Sequence, residues 1–436
     1  MQSLDSEAIL TALPPGSEYV VAFSGGCDSL VLLHLMQTLR VRLSAQLRAV
    51  HVHHGLHPRA DAWAGHCERV CAALGVPLTV VRVDVASGPN LEARARHARY
   101  RALTDVLARD GVVLTAHHAD DQAETVLLRA MRGSGVTGLA AIPRQRPLPP
   151  GKLVRPLLDW SRQQLRAYAE DHGLVWIDDP SNADRRPDRN FLRHAVMPQL
   201  RQRWPRAAAG LGRLAGDAAE SDALLEELAR LDGLADTPRL ALSCLQGVSE
   251  PRARNLLRHW IRAQGLPLPG RKRLQSGLIM LLTATDDRQP AMVWPGGRIR
   301  RYHGTLYLDD GSTLQVAPDR VPLVALAEQR FPWGRLRVVS GGALRADLSG
   351  GPGLMLRFDM LEQRVQPVGR PRKRLGRLLQ EARVPPWQRT GWPLLCRHDQ
   401  VLAVPGVCVC VGAETNDETA GYALEWHPAD GPPALS

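Results

Sequence analysis

Apolar, β-branched runs at 19–23, 47–53, 78–84 and 112–116 punctuate the N-terminal part of the chain, and each reads as a buried strand. Between them, 28–40, 58–74 and 91–109 read as helices. Strand alternating with helix predicts a parallel sheet with right-handed crossovers and helices on both faces. Ligands of such sheets bind beyond the carboxyl ends of the strands. Past a Pro-rich stretch, Pro143 to Pro150, further helices are expected at 161–172 and 190–203, and the Ala-, Leu- and Glu-rich segment 207–231 reads as one long helix. A mixed segment over 238–310 holds a helix at 251–264 and strand-like pieces at 291–308. From 320 to 436 short strands dominate, with frequent Gly and Pro and one helix near 372–382. A chain of 436 residues is too long for one ordinary core, and the expected domains are 1–205, 206–315 and 320–436.

Charge sharpens this picture. The net charge of +11 points to a polyanionic partner, although a strong preference for Arg, with Lys only at 152, 272 and 373, can also come from a GC-rich genome. Position separates the two explanations. Residues 185–206 carry seven Arg against one Asp; Arg254, Arg258 and Arg262 stand four apart on a helix backed by Leu256, Leu257, Trp260 and Ile261. Arg364–Arg389 holds eight cations, among them Arg372, Lys373, Arg374 and Arg377, against Glu381. Three separate basic stripes favour RNA binding over solvated charge.

Seven cysteines without a CxxC pair, no secretory-type pattern over Met1–Ala12, and no apolar run near the ~20 residues of a membrane span lead to the expectation of a reduced, cytoplasmic protein away from the membrane. Cys67 and Cys71 fall on the apolar face of the 58–74 helix and read as core rather than metal ligands.

The most informative motif is Ser24-Gly25-Gly26-Cys27-Asp28-Ser29, directly after the first strand and at the start of a helix. Gly25 and Gly26 let backbone N–H groups approach an anion, and the helix dipole adds positive potential, so the turn suits phosphate. It is neither GxGxxG nor a Walker loop. A second motif, His117-His118-Ala119-Asp120-Asp121-Gln122-Ala123-Glu124, puts Asp121 and Glu124 on one face at a helix start. Beside phosphates two carboxylates call for a cation between them, Mg²⁺ or a substrate amine; an Asp that merely caps the helix is the alternative. Arg132-Gly133 ends that helix, as a glycine C-cap or an anion contact. His51-Val52-His53-His54-Gly55-Leu56-His57 reads as a polar strand end over a nucleotide rather than a closed metal site.

Together these stretches resemble the tRNA(Ile)-lysidine synthetase family of the PP-loop ATP pyrophosphatase superfamily. Residues 19–29 match its SGGxDS loop; His51–Leu56, Leu91–Tyr100, Ala116–Gly135 and Asp179–Arg193 look like its later blocks, in order. Arg374–Leu379 and Val384–Arg389 resemble its last domain, with Gly376 and Arg377 where that block is usually lysine-rich. The resemblance implies an adenine nucleotide α-hydrolase-like parallel-sheet domain, a helical linker and two smaller C-terminal domains. It implies that ATP binds at Ser24–Ser29 and adenylates the wobble cytidine of an isoleucine tRNA with CAU anticodon, and that free L-lysine then displaces AMP. By the same analogy Asp28 and Asp121 hold Mg²⁺, Asp121 and Glu124 receive the lysine amine or the metal, His117 accepts a proton and Arg193 meets the α-phosphate, with Arg96 and Arg99 as further candidates. A homodimer is left open. The competing readings are a tRNA-thiolating PP-loop enzyme, to which the lack of CxxC is adverse, a catalytically inactive RNA-binding module, and a His/Asp metal hydrolase.

Overall fold

The computed structural model describes residues 6–428 except 44, 87, 89–90, 181–185, 235, 286–287, 313–317, 324, 351, 359 and 418. The chain forms two compact units, Met1–Leu224 and Leu225–Ser436.

In the first unit, α1 (Ser6–Ala12) precedes β1 (Glu18–Ala22), α2 (Cys27–Thr38), β2 (Gln46–His53), α3 (Ala60–Leu74), β3 (Leu78–Arg82), α4 (Leu91–Asp105) and β4 (Val112–Leu114), the alternation the apolar runs predict. Next come α5 (Ala119–Met131), α6 (Val136–Leu139), β5 (Gln145–Leu148), β6 (Gly151–Val154) and α7 (Arg162–Asp171). The sheet order is β3-β2-β1-β4-β6-β5, parallel throughout except for β5 on β6. The β5–β6 hairpin departs from expectation because Pro147 lies within it. An edge strand tolerates Pro, whose missing N–H leaves no ladder position empty. Central β1 is buried on both sides: Tyr19 and Val21 pack with the α2, α3 and α7 side chains, and Val20 with Leu103 and Leu153. Cys67 and Cys71 are buried in the first of these cores, as their spacing predicts.

The sheet order reverses at β1, with β2 on one side and β4 on the other. Loops leaving the carboxyl ends of β1 and β4 therefore diverge around a crevice, the usual ligand position in such sheets. After α7 the expected single helix from 190 is instead α8 (Asp188–Phe191), a π-helical turn at Leu192–Val196 and α9 (Met197–Arg203), followed by α10 (Ala207–Leu231). Ser181, Asn182 and Arg185 lie outside the described residues.

In the second unit, β7 (Arg239–Ala241), α11 (Leu242–Gln246), α12 (Glu250–Ala263) and α13 (Arg271–Thr283) lead to β8 (Ala291–Trp294), β9 (Gly297–Tyr302) and β10 (Thr305–Asp309), in the antiparallel order β7-β10-β9-β8. Trp260, Ile261, Leu278 and Ile299 share its core, so α12 buries the apolar face read from its sequence. The remainder is antiparallel sheet, including five strands in the order Arg320–Pro322, Leu354–Arg357, Leu394–Arg397, Gln400–Val404, Cys408–Val409. The helix expected near 372–382 is α14 (Leu375–Glu381), whose Leu375, Leu378 and Leu379 are buried. All seven cysteines are free, and no helix among the described residues is long and apolar enough to cross a membrane.

Candidate active site

The loop from β1 to α2 is shaped by its own small side chains. Ser24 and Ser29 hydroxyls lie 3.0 Å apart, Ser29 Oγ donates to the Gly26 carbonyl at 2.9 Å, and the Gly26 N–H reaches Ser24 Oγ at 3.4 Å. Gly25 has φ +84°, and a Cβ there would stand 2.8 Å from Ile177 Cδ1 and 3.1 Å from Cys67 Sγ. Both the left-handed backbone and the close wall require glycine. Gly26, extended at φ −79° and ψ 161°, is the N-cap of α2, and no side chain caps that helix. Its first N–H groups are thus oriented for an anion, with the dipole behind them. Cys27 is a neutral thiol at pH 7, because burial foremost and then Asp28 push it up to about 11.

Across the crevice, the turn after β4 delivers His117 and His118, and the first turn of α5 delivers Asp120, Asp121 and Glu124. His118 ties the two motifs together. It is 2% exposed, and its Nε2 lies 3.5 Å from Asp28 Oδ2 and 3.5 Å from Asp121 Oδ2. Asp120 is structural: it accepts the Arg162 N–H at 2.7 Å and pairs with Arg201. Asp121 caps the helix, as one of the two sequence readings has it, and also faces two cations. Its Oδ2 accepts the His118 N–H at 3.1 Å, and its Oδ1 faces Arg189 Nη2 at 2.9 Å and Arg193 Nη2 at 3.1 Å. Glu124, 1% exposed, takes Arg189 Nε at 3.0 Å and Arg193 Nε at 2.7 Å. The cation that two adjacent carboxylates demand is therefore present as two guanidinia. Nothing local distinguishes Arg189 or Arg201 within the basic run 185–206; α8 and the π-turn bring Arg189 and Arg193, half-buried, onto the carboxylates, whereas Arg201, though paired with Asp120, stays exposed like Arg203 and Arg206.

The electrostatics follow from this packing. Burial pushes the Asp121 carboxyl up, but His118, Arg189, His117 and Arg193 outweigh it and hold it at about 2. For His117 burial dominates over the opposing pull of Asp121 and lowers the ring to about 3; its Nδ1 lies 3.0 Å from Thr115 Oγ1. A histidine that binds its proton more weakly folded than unfolded costs stability as the medium turns acid. The loss starts as pH falls below 6.5 and is complete near 3, whereas that of Asp121 begins only below 3.8. His117→Gln is therefore expected to lose less of its urea midpoint between pH 7 and pH 4 than the parent does. Equal losses in the two proteins would contradict the half-buried, neutral imidazole.

The remaining motifs have other places. His51 Nδ1 contacts the Phe23 carbonyl at 2.9 Å and His53 Nε2 lies 3.2 Å from Asp61, so these strand-end histidines brace the loop and its neighbours. Gly133 has φ +68° and Arg132 pairs with Asp188, the C-cap alternative. On α12 the basic row is half-buried and internally paired: Arg254 with Glu250 at 2.8 Å and Arg262 with Glu226 at 3.2 Å, Arg258 also having a partner. In the C-terminal stripe Lys373 pairs with Glu381, Arg374 with Glu362 and Arg377 with Glu381, while Arg372 is exposed. Exposed pairs of this kind are worth little and exchange readily for phosphate.

No group of three or more His, Cys, Asp or Glu among the described residues is arranged to hold a metal. Mg²⁺ needs less, because it commonly binds through one or two carboxylates, substrate phosphates and water. Asp28 fits that role: its Oδ1 is shielded from solvent and has no hydrogen-bond partner. Both Asp121 oxygens are engaged, which makes it the poorer ligand in this arrangement.

Comparison with known proteins agrees with this geometry. Residues 4–200 match the PP-loop domain, 240–307 the TilS substrate binding domain and 354–426 the TilS substrate C-terminal domain. The chain is 47% identical over 437 residues to the tRNA(Ile)-lysidine synthase of Alkalilimnicola ehrlichii, covering 97% of this chain and 96% of that one. It is 42% identical to that of Pseudomonas aeruginosa, covering 98% of each, and 38% identical to that of Coxiella burnetii, covering 96% and 95%. With a phosphate loop facing a carboxylate pair and relatives matched over nearly their whole length, the chain belongs to the tRNA(Ile)-lysidine synthase family.

Proposed function

We propose that the chain attaches free L-lysine to carbon 2 of the wobble cytidine in an isoleucine tRNA with CAU anticodon, converting ATP to AMP and pyrophosphate. The supporting observation is His118, which brings the loop carboxylate Asp28 and the α5 carboxylate Asp121 to one crevice. ATP lies with its phosphates on the N–H groups of Ser24–Ser29. The cytidine O2 attacks the α-phosphorus, the bond to pyrophosphate breaks, and the base becomes adenylated. The lysine ε-amine then attacks carbon 2, and AMP departs with the former O2.

The chain's side chains divide this work. Asp28 would hold Mg²⁺, which when bound would offset charge on the departing pyrophosphate. Asp121 and Glu124 receive the lysine ammonium, which requires Arg189 and Arg193 to yield part of their hold. Arg193, drawn off the carboxylates by bound ATP, reaches the α-phosphate before lysine acts. His117, neutral at pH 7, accepts the proton the amine must lose; the negative charge of bound nucleotide raises its basicity from the low value of the empty crevice. Arg254, Arg258, Arg262, Arg372, Lys373, Arg374 and Arg377 contact tRNA phosphates, and three domains, 1–205, 206–315 and 320–436, divide nucleotide chemistry from RNA binding. A cytoplasmic setting supplies ATP, lysine and tRNA together and keeps the cysteines reduced.

Mass spectrometry of the tRNA after incubation with ATP and lysine is the test. One lysyl addition on a single cytidine, absent without lysine, is expected. Pyrophosphate release that is equally fast without lysine and leaves no lysine on the cytidine would rule the activity out.

A further inference from the structure

A cavity of about 530 Å³ opens on α4 and β5, lined among others by Arg96, His97, Tyr100, Arg101 and Arg146. Arg96, His97 and Arg101 are exposed. The Tyr100 ring organises the cations: Arg146, Arg96 and Arg99 stand with guanidinium carbons 4.7, 5.0 and 5.9 Å from its centroid. Arg155, only 2% exposed, acts electrostatically on Tyr100, and its Nε has no partner. Among the described residues Arg96, Arg101 and Arg146 have no carboxylate partner, whereas Arg132, Arg144 and Arg166 of the same unit pair with Asp188, Asp159 and Glu170. Positive charge gathered without counter-charge and held against an aromatic ring is pre-ordered for an anion.

The cavity is connected electrostatically to the active site, because Arg96 and Arg155 both act on His117. As the crossover between parallel β3 and β4, α4 runs back from the carboxyl edge of the sheet, so Arg101 lies about 7.5 Å further from that edge than Arg96. Arg101 thus extends the cluster around Tyr100 into a track leading away from the crevice. We propose that this track holds the sugar–phosphate backbone of the RNA strand adjoining the modified cytidine, with Arg101 and Arg146 each taking a phosphate. This rests on tRNA being the substrate, and it adds an RNA contact within the PP-loop unit to those on the two substrate domains.

The test uses the full chain with the double substitution Arg101→Ala and Arg146→Ala, two residues outside the catalytic machinery. Retention of unmodified isoleucine tRNA transcript is measured over a salt series, alongside KM and kcat for lysidine formation. We expect tRNA affinity to fall about tenfold and the slope of log affinity against log salt to shrink by roughly one to two. The KM for ATP, the KM for lysine and kcat at saturating tRNA should stay within about twofold, and Arg101→Lys with Arg146→Lys should restore most of the binding. Unchanged tRNA affinity and salt slope would overturn the proposal. So would a raised KM for ATP with tRNA binding intact, which would assign the cavity to nucleotide or pyrophosphate. Because the retention arm needs no turnover, a parent protein that makes no lysidine yet shows the loss in the variant would refute the activity while supporting the track.

Discussion

Asp28→Ala is expected to lower lysidine formation by about a thousandfold while tRNA retention stays within roughly twofold of the parent, because the electrostatic groups at a reacting centre are commonly worth 10²–10³ or more in rate. Asp28 occupies the first turn of α2, next to the N–H groups proposed to hold the triphosphate, yet its carboxylate is of the wrong sign to bind phosphate directly. A carboxylate there suits the proposed cation, which its shielded, unpartnered Oδ1 would hold. Its other oxygen lies beside His118 Nε2, so the substitution also removes one of the two carboxylates facing that nitrogen. The measurements are single-turnover release of pyrophosphate from ATP with saturating tRNA, and tRNA retention on the same preparation. Loss of release with retained binding is the expected result. A variant that keeps full turnover would remove Asp28 from the chemistry and leave α2 as an anion cradle only. Asp28→Asn should be almost as inactive, since it keeps the shape but not the charge.

The parts of this site that were legible in the sequence are those whose meaning is local. Ser24–Ser29 announces its turn through two adjacent glycines between an apolar run and a helix, and the structure gives those residues that turn. Asp121 and Glu124 share a face because they are three apart on one helix. What was not legible depends on long-range folding. His118 rather than His117 links the two carboxylates, a distinction set by which side of the turn after β4 faces α2. Arg189 looks like any member of a charge run until α8 carries it 2.9 Å from Asp121. The hairpin β5–β6 was hidden by its prolines, and with it the side of the Tyr100 cavity that Arg146 supplies. The helix α13 follows the same rule: flanked by Gly270 and by strand-forming segments, its pattern Leu274, Leu278, Leu281 is plain only once those side chains are seen in the core of the second unit.

Glu124→Gln is expected to separate the two half-reactions. In the parent, the carboxylates of Asp121 and Glu124 balance the guanidinia of Arg189 and Arg193, and the group carries no net charge. Glutamine keeps the volume and removes one negative charge, so the cluster becomes positive and a lysine ammonium approaching it meets a net repulsion that the balanced cluster of the parent lacks. At an effective dielectric constant near 20 the interaction of two unit charges 4 Å apart is about 4 kcal/mol, enough for the KM for lysine to rise by roughly a hundredfold even when solvent relaxes much of it. Adenylation does not require that ammonium, and pyrophosphate release with ATP and tRNA alone should persist within about tenfold of the parent. Stability should fall too. Removing one partner of a buried ion pair costs about 3–5 kcal/mol, but Arg189 and Arg193 are partly exposed and keep Asp121, so a loss of about 1–2 kcal/mol in urea unfolding is the expectation. Glu124→Asp, which restores the charge on a shorter stem, should recover part of the lysine dependence. If Glu124→Gln instead abolished pyrophosphate release and left the KM for lysine unchanged, the buried carboxylate would belong to the nucleotide side of the crevice, and Asp121 alone would be left to receive the amine.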